Sequence, residues 1–186
     1  MKTTYQLTIG GVTRELTLCP INENLQIAGF VVLGDYELTE ACAKELVKIA
    51  PEHDYILTAE CKGIPLVHEM AKMLGEKTHF IARKKAKLYM KNIFSAAVKS
   101  ITTEGDQMLY LDGKDAELIK GKKILIIDDV ISTGESIRAL EQLVKDAGGI
   151  VAGKMCVLAE GDAQGRSDIK YLAPLPLFDK EGNPIE

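Results

Sequence analysis

Asp128 and Asp129 stand side by side where the apolar run of residues 124–127 stops, and Ser132, Thr133, Gly134, Glu135 and Ser136 follow almost at once. A hydroxyl-rich turn that opens a helix leaves the backbone N–H groups of residues 133–136 without intrahelical acceptors, so they can converge on an anion. Gly134 lets the backbone approach closely, and the hydroxyls of Ser132, Thr133 and Ser136 add donors. Two adjacent carboxylates would repel a bare phosphate. The ligand must therefore also bring hydroxyl donors or a divalent cation, and a ribose 5-phosphate moiety fits: phosphate on the helix N-terminus, vicinal hydroxyls donating to the acids. A helix cap alone would need one acid or one hydroxyl, not this set.

Two more clusters are suited to anions. Glu60, Cys61, Lys62 and Gly63 follow a short apolar stretch and open a helical one. Arg83, Lys84, Lys85 and Lys87 put four cations into five residues, with no acid between Phe80 and Lys91. In a chain of net charge -4 a solvated face would mix both signs, so the run marks a local polyanion site. His53, His68 and His79 lack metal-ligand spacing. Cys19, Cys42, Cys61 and Cys156 form no C-x-x-C pair, which fits neither a zinc site nor a disulfide framework.

Positioning these groups requires a layered α/β scaffold. Residues 5–18 alternate around Gly10-Gly11 as a hairpin, and residues 30–33 read as a further strand. Leu38, Cys42, Leu46 and Ile49 form a helical stripe that Pro51 ends. A strand at 55–58, a helix at 64–74 closed by Gly75, and a strand at 79–82 make a strand-helix-strand unit. A strand at 124–127, a helix at 137–147 closed by Gly148-Gly149, and a last strand at 150–159 follow. Continuous apolar strands interleaved with amphipathic helices predict an open, twisted parallel sheet with helices on both faces. In such sheets ligands bind at the carboxyl ends of the strands, where all three clusters fall. Residues 92–112 alternate weakly and predict a flexible two-stranded flap, its tip at 100–106, that closes over the site and excludes water.

The segment 124–136 resembles the phosphoribosyl diphosphate (PRPP) signature of type I phosphoribosyltransferases: four apolar residues, two acids, three residues, then T-G-x-S. Glu60-Cys-Lys-Gly63 looks like that family's diphosphate loop, which implies diphosphate contacts for Glu60, Cys61, Lys62 and Gly63 and a cis Glu60–Cys61 peptide. Arg83, Lys84 and Lys87 match the R-K-x-x-K-L of adenine phosphoribosyltransferases, where the basic segment faces diphosphate, in part across a homodimer interface. Residues 172–178 are similar to the A-P-x-P-F-F tail.

The resemblance implies that the 5-phosphate sits on Ser132, Thr133, Gly134, Glu135 and Ser136, and that Asp128 and Asp129 orient the ribose. Magnesium is the implied cofactor, carried in on PRPP, with Asp128 and Asp129 as candidate protein contacts. On the flap, Thr103 occupies the place of the adenine enzymes' glutamate and Glu104 comes one residue later, so Glu104 is a candidate for that catalytic role. The F-P-x-P-G…F-R-D segment of those enzymes has no counterpart at 13–20. Glu160 and Asp162 are candidate base contacts by position.

The implied activity is transfer of the phosphoribosyl group to a purine, adenine first and a 6-oxopurine next, in purine salvage. A PRPP-sensing regulator on the same fold is the alternative, although no winged or helix-turn-helix segment is legible. At 186 residues, 46% apolar and 27% charged, the chain is expected to form one domain, with 1–35 and 160–186 as a small hood on the base side. The acidic balance and the lack of a leader or a spanning apolar run predict a cytoplasmic protein that binds neither nucleic acid nor membrane.

Overall fold

Gly10 and Gly11, both at positive φ, turn the chain between strands β1 (Thr4–Ile9) and β2 (Val12–Pro20), giving the expected hairpin. The computed structural model describes residues 2–98 and 107–185. Strand β3 (Gln26–Ala28) pairs with the end of β2, and the stretch expected as a strand at 30–33 is extended without a ladder partner. Its burial still alternates, with Phe30 and Val32 inside and Val31 and Leu33 outside. That alternation carried the strand signal, because Phe30 and Val32 enter the same core as β1 to β3, but the segment forms no ladder with a neighbouring strand.

Helix α1 (Tyr36–Ile49) starts at Asp35, whose side chain accepts from Leu38 N at 3.1 Å. Arg14 of β2 grips Asp35 at 2.7 Å and Glu37 at 2.7 Å, fixing the hairpin to the helix start. The Arg14 guanidinium also holds the Asp35 carboxyl below its ordinary range. Next come β4 (Tyr55–Ala59), α2 (Gly63–Leu74) ended by left-handed Gly75, and β5 (Phe80–Ala82). The flap strands β6 (Phe94–Val98) and β7 (Gln107–Leu111) pair antiparallel, as expected. Its expected tip at 100–106, including Thr103 and Glu104, lies outside the described residues.

After α3 (Gly113–Ile119) come β8 (Lys123–Ile131), α4 (Glu135–Asp146), β9 (Ile150–Glu160) and β10 (Lys170–Leu175). The central sheet runs β10-β9-β8-β4-β5, parallel throughout. In β8, Ile124 and Ile126 pack with α4 and the flap, while Leu125 and Ile127 pack with α1 and α2. Burial on both faces is why the run is continuously apolar, each fully buried aliphatic side chain contributing roughly 1.5–3 kcal/mol.

Two expectations need correction. The strand expected to stop at Ile127 runs to Ile131, with Asp128 paired to Cys156 and Ile131 to Ala159, so both acids lie inside the ladder. The strand expected to be last is followed in the same sheet by β10, which the short 3₁₀ turn Gly161–Gly165 feeds. Finally β11 (Leu177–Phe178) and β12 (Pro184–Ile185) complete a second five-stranded sheet, β1-β2-β3-β11-β12, built from both chain ends. Among the described residues no helix is long and apolar enough to cross a membrane.

Candidate functional site

Strands β4, β5 and β8 are neighbours and deliver their polar carboxyl-end segments to one place. A cavity of about 440 Å³ is lined there by Cys61, Lys62, Lys84, Asp128, Asp129 and Ser136, with Gln107 to Tyr110 of the flap forming a wall. Arg83 and Tyr110 exchange two backbone hydrogen bonds of 2.8 Å, so the flap base is bound directly to the basic run.

The two aspartates differ in surroundings. Asp129 is 4% exposed and lies 2.8 Å from Lys62 Nζ, which also donates to the Phe30 carbonyl at 3.4 Å. The ammonium meets Asp129 outside hydrogen-bonding angles, so Oδ2 is buried with no hydrogen-bond partner among the described residues. Asp128 Oδ1 accepts from Asp129 N at 2.9 Å. Burial raises the Asp128 carboxyl well above its ordinary range and the neighbouring Asp129 charge raises it further, with Lys62 opposing. Asp128 also lines the smaller hollow of about 140 Å³ formed by residues 130–137.

That hollow is the helix N-terminus expected from the sequence. Gly134 occupies the cap position of α4 at φ 78, with no side-chain cap, leaving first-turn amides unclaimed by a capping side chain. A Cβ at 134 would overlap Arg166 Nη1 as well as strain the left-handed backbone. Gly134→Ala is therefore expected to cost about 1–3 kcal/mol in urea denaturation. An unchanged midpoint would show that neither constraint operates.

On the opposite wall the Glu60–Cys61 peptide is cis, and Lys62 caps α2. Gly63 is required because a Cβ there would overlap Thr58 Oγ1. Glu60 accepts from Lys84 N at 2.9 Å and pairs with Arg83 Nη2 at 3.1 Å. The Lys84 N–H and the Arg83 and Lys87 charges hold its carboxyl below the ordinary range. Glu60 lines the cavity and ties the loop to the basic segment through these contacts. Arg83, turned to Glu60, and Lys87 do not line the cavity; Lys84 does.

Glu160 is 8% exposed at the end of β9; burial raises its carboxyl, opposed by a hydrogen bond with Ser132 and the charge of Lys62. Asp162 is exposed on the 3₁₀ turn, away from this cluster. Glu104 lies outside the described residues. The sequence reading missed the Phe30 carbonyl, which no composition signal marks, and Arg166, which lies far along the chain from Gly134.

Among the described residues no group of three or more His, Cys, Asp or Glu could hold a metal ion. Asp128 and the partnerless Asp129 Oδ2 suit a hard cation that brings its remaining oxygen ligands on the substrate.

Comparison with known proteins agrees with this geometry. The phosphoribosyl transferase domain model matches residues 37–174. The hypoxanthine/guanine phosphoribosyltransferase of Methanothermococcus okinawensis is 30% identical over 141 residues, covering 75% of this chain and 72% of the relative. Adenine phosphoribosyltransferase from Thermoanaerobacter pseudethanolicus superposes with a TM-score of 0.71 at 25% identity, over 86% of this chain and 95% of that one. The Trypanosoma brucei adenine enzyme, solved with AMP, pyrophosphate and ribose-5-phosphate, shares the fold with a TM-score of 0.62 at 20% identity, over 77% of this chain and 67% of that one.

Proposed function

Because the chain belongs to the phosphoribosyl transferase domain family, we propose that it is a purine-salvage enzyme joining PRPP to a 6-oxopurine, hypoxanthine or guanine, with release of diphosphate. The observation that carries the reading is that the cavity lined by Lys62, Lys84, Asp128 and buried Asp129 adjoins the hollow at the α4 N-terminus, the two sharing Asp128 and Ser136. Each matches one part of PRPP.

The reaction forms a bond from C1 of the ribose to a purine nitrogen while the C1–O bond breaks, its electron pair leaving on diphosphate and the purine's N–H proton passing to diphosphate or solvent. Positive charge grows at C1, so catalysis is placement and electrostatics, with no enzyme nucleophile required. First-turn amides of α4 and the Ser136 hydroxyl hold the 5-phosphate. Asp129, which lies beside Lys62, exchanges part of that ion pair for a ribose hydroxyl, which frees the ammonium for diphosphate. Asp128 accepts from the neighbouring hydroxyl or helps hold magnesium, which when bound supplies Lewis-acid stabilisation of the diphosphate oxygens. Lys84 adds a cation that Glu60 keeps in position. Cover from the flap excludes water that would otherwise capture the sugar cation.

The choice of base rests on two supports: relatives at 30% identity carry the hypoxanthine/guanine name, and Thr103 stands where adenine enzymes have glutamate. Adenine is the second reading, favoured by the likeness in fold to adenine enzymes. A homodimer belongs to the proposal as well, supported by exposed Leu88 and Tyr89 beside the basic run.

Incubation with PRPP, magnesium and each purine in turn, following diphosphate, tests the reading. Release with hypoxanthine or guanine is expected. Release with adenine alone would assign the second reading, and no release with any base would contradict transfer.

A further inference from the structure

Arg166 reaches Gly134 of the phosphate turn with its guanidinium. Its N–H donates to the Ala163 carbonyl at 3.2 Å, and its side chain is 22% exposed. One edge of the guanidinium is committed to Asp168, with Nε donating to Oδ1 at 2.9 Å and Nη2 to Oδ2 at 2.8 Å. Asp168 is held in turn by Lys154 of β9, which pairs with Glu141 of α4 at 3.2 Å. The ion pairs therefore anchor the guanidinium to the helix that carries the turn and to the strand beside it.

The other edge is unused. Nη1 is buried and has no hydrogen-bond partner among the described residues. It lies against Gly134, where a Cβ would overlap it. A buried donor left without an acceptor is costly, and in a native structure it calls for an explanation.

Peptide geometry supplies one. In a trans peptide the N–H and C=O point in opposite directions, and the Gly134 N–H shares its plane with the Thr133 carbonyl. When the Gly134 N–H turns toward an anion, the Thr133 carbonyl turns the opposite way, and Nη1, which lies against Gly134 and is unpartnered among the described residues, is a donor beside that peptide. We propose that Arg166 is a positioning residue for the 5-phosphate: its Nη1 donates to the Thr133 carbonyl as the phosphate seats, locking the turn with its amides converged. The inference rests on the phosphoribosyl reading of the site. Arg166 does not touch the ligand; it acts through the turn.

Calorimetric titration with two probes separates this role from mere stabilisation. Ribose 5-phosphate engages the turn, whereas inorganic diphosphate engages Lys62 and Lys84 on the opposite wall. For Arg166→Met, ribose 5-phosphate affinity is expected to fall roughly tenfold, the scale of one hydrogen bond in a charged setting, with diphosphate affinity within about twofold. In turnover, the KM for PRPP is expected to rise by a similar factor with kcat nearly unchanged.

Arg166→Lys guards against a folding failure: it keeps the charge and the pairing with Asp168 but has no second nitrogen for the turn. It is expected to melt near wild type and still lose ribose 5-phosphate affinity several-fold. Wild-type affinity in a folded Arg166→Lys, or equal losses for both probes in Arg166→Met, would overturn the role of Arg166 while leaving the phosphoribosyl reading intact. Failure of the unaltered protein to bind ribose 5-phosphate or PRPP would instead overturn the reading beneath it.

Discussion

Asp128→Asn is expected to lower kcat/KM for PRPP by about 10²–10³, and at the same time to raise the melting temperature of the ligand-free protein. Both effects have one cause. Asp128 is crowded by buried surface and by Asp129, so its carboxyl is raised above the ordinary aspartate range. Folding therefore takes up a proton at any pH between the unfolded value, about 3.9, and the higher folded value. Over that window stability falls as pH rises, because the folded state binds more protons than the unfolded chain.

Asparagine removes this dependence, so the stability gain should widen from about pH 5 to pH 7.5, reaching about 1–2 kcal/mol. Ligand binding is where the acid is needed: a ribose hydroxyl or a cation replaces the missing neutralisation. Turnover at the wild-type rate would remove Asp128 from the ribose site. A stabilisation equal at both pH values would remove proton uptake as its cause.

Lys62→Met has the second largest expected effect, a fall of about 10² in kcat/KM for PRPP, mostly in KM. Methionine keeps the aliphatic stem and deletes the ammonium, which lies 2.8 Å from Asp129 and faces the cavity. The stability loss should be smaller than for a fully buried pair. Lys62 is 43% exposed, so water already screens the interaction, although Asp129 is left buried without its counter-charge. About 1 kcal/mol is expected from denaturant titration at neutral pH. Steady-state kinetics with PRPP varied decides the matter, and an unchanged KM would place the diphosphate elsewhere.

What could be read from residue order was whatever a local pattern determines. The continuous run at 124–127 implied burial on both faces, and β8 is flanked by α1 and α2 on one side and α4 on the other. The hydroxyl-rich turn before a helix stripe implied a helix N-terminus there, and α4 begins at Glu135 with Gly134 at its cap. Errors came where pairing depends on distant chain. The alternation at 30–33 could not reveal that no strand would lie beside it, nor could two aspartates reveal that β9 would carry the ladder on to Ile131. The contacts of Glu60 with Arg83 and Lys84, more than twenty residues away, were likewise beyond any local pattern. Arg166 was invisible for the same reason: only the fold brings it against Gly134.

The central claim is that the turn between β8 and α4 holds the phosphate of a sugar phosphate through main-chain donors. Amide nuclear magnetic resonance during titration with ribose 5-phosphate tests it most directly. Saturable downfield shifts of the Thr133, Gly134, Glu135 and Ser136 amides, the largest in the spectrum, are the expected result. Binding that saturates while those four resonances stay in place would contradict the account.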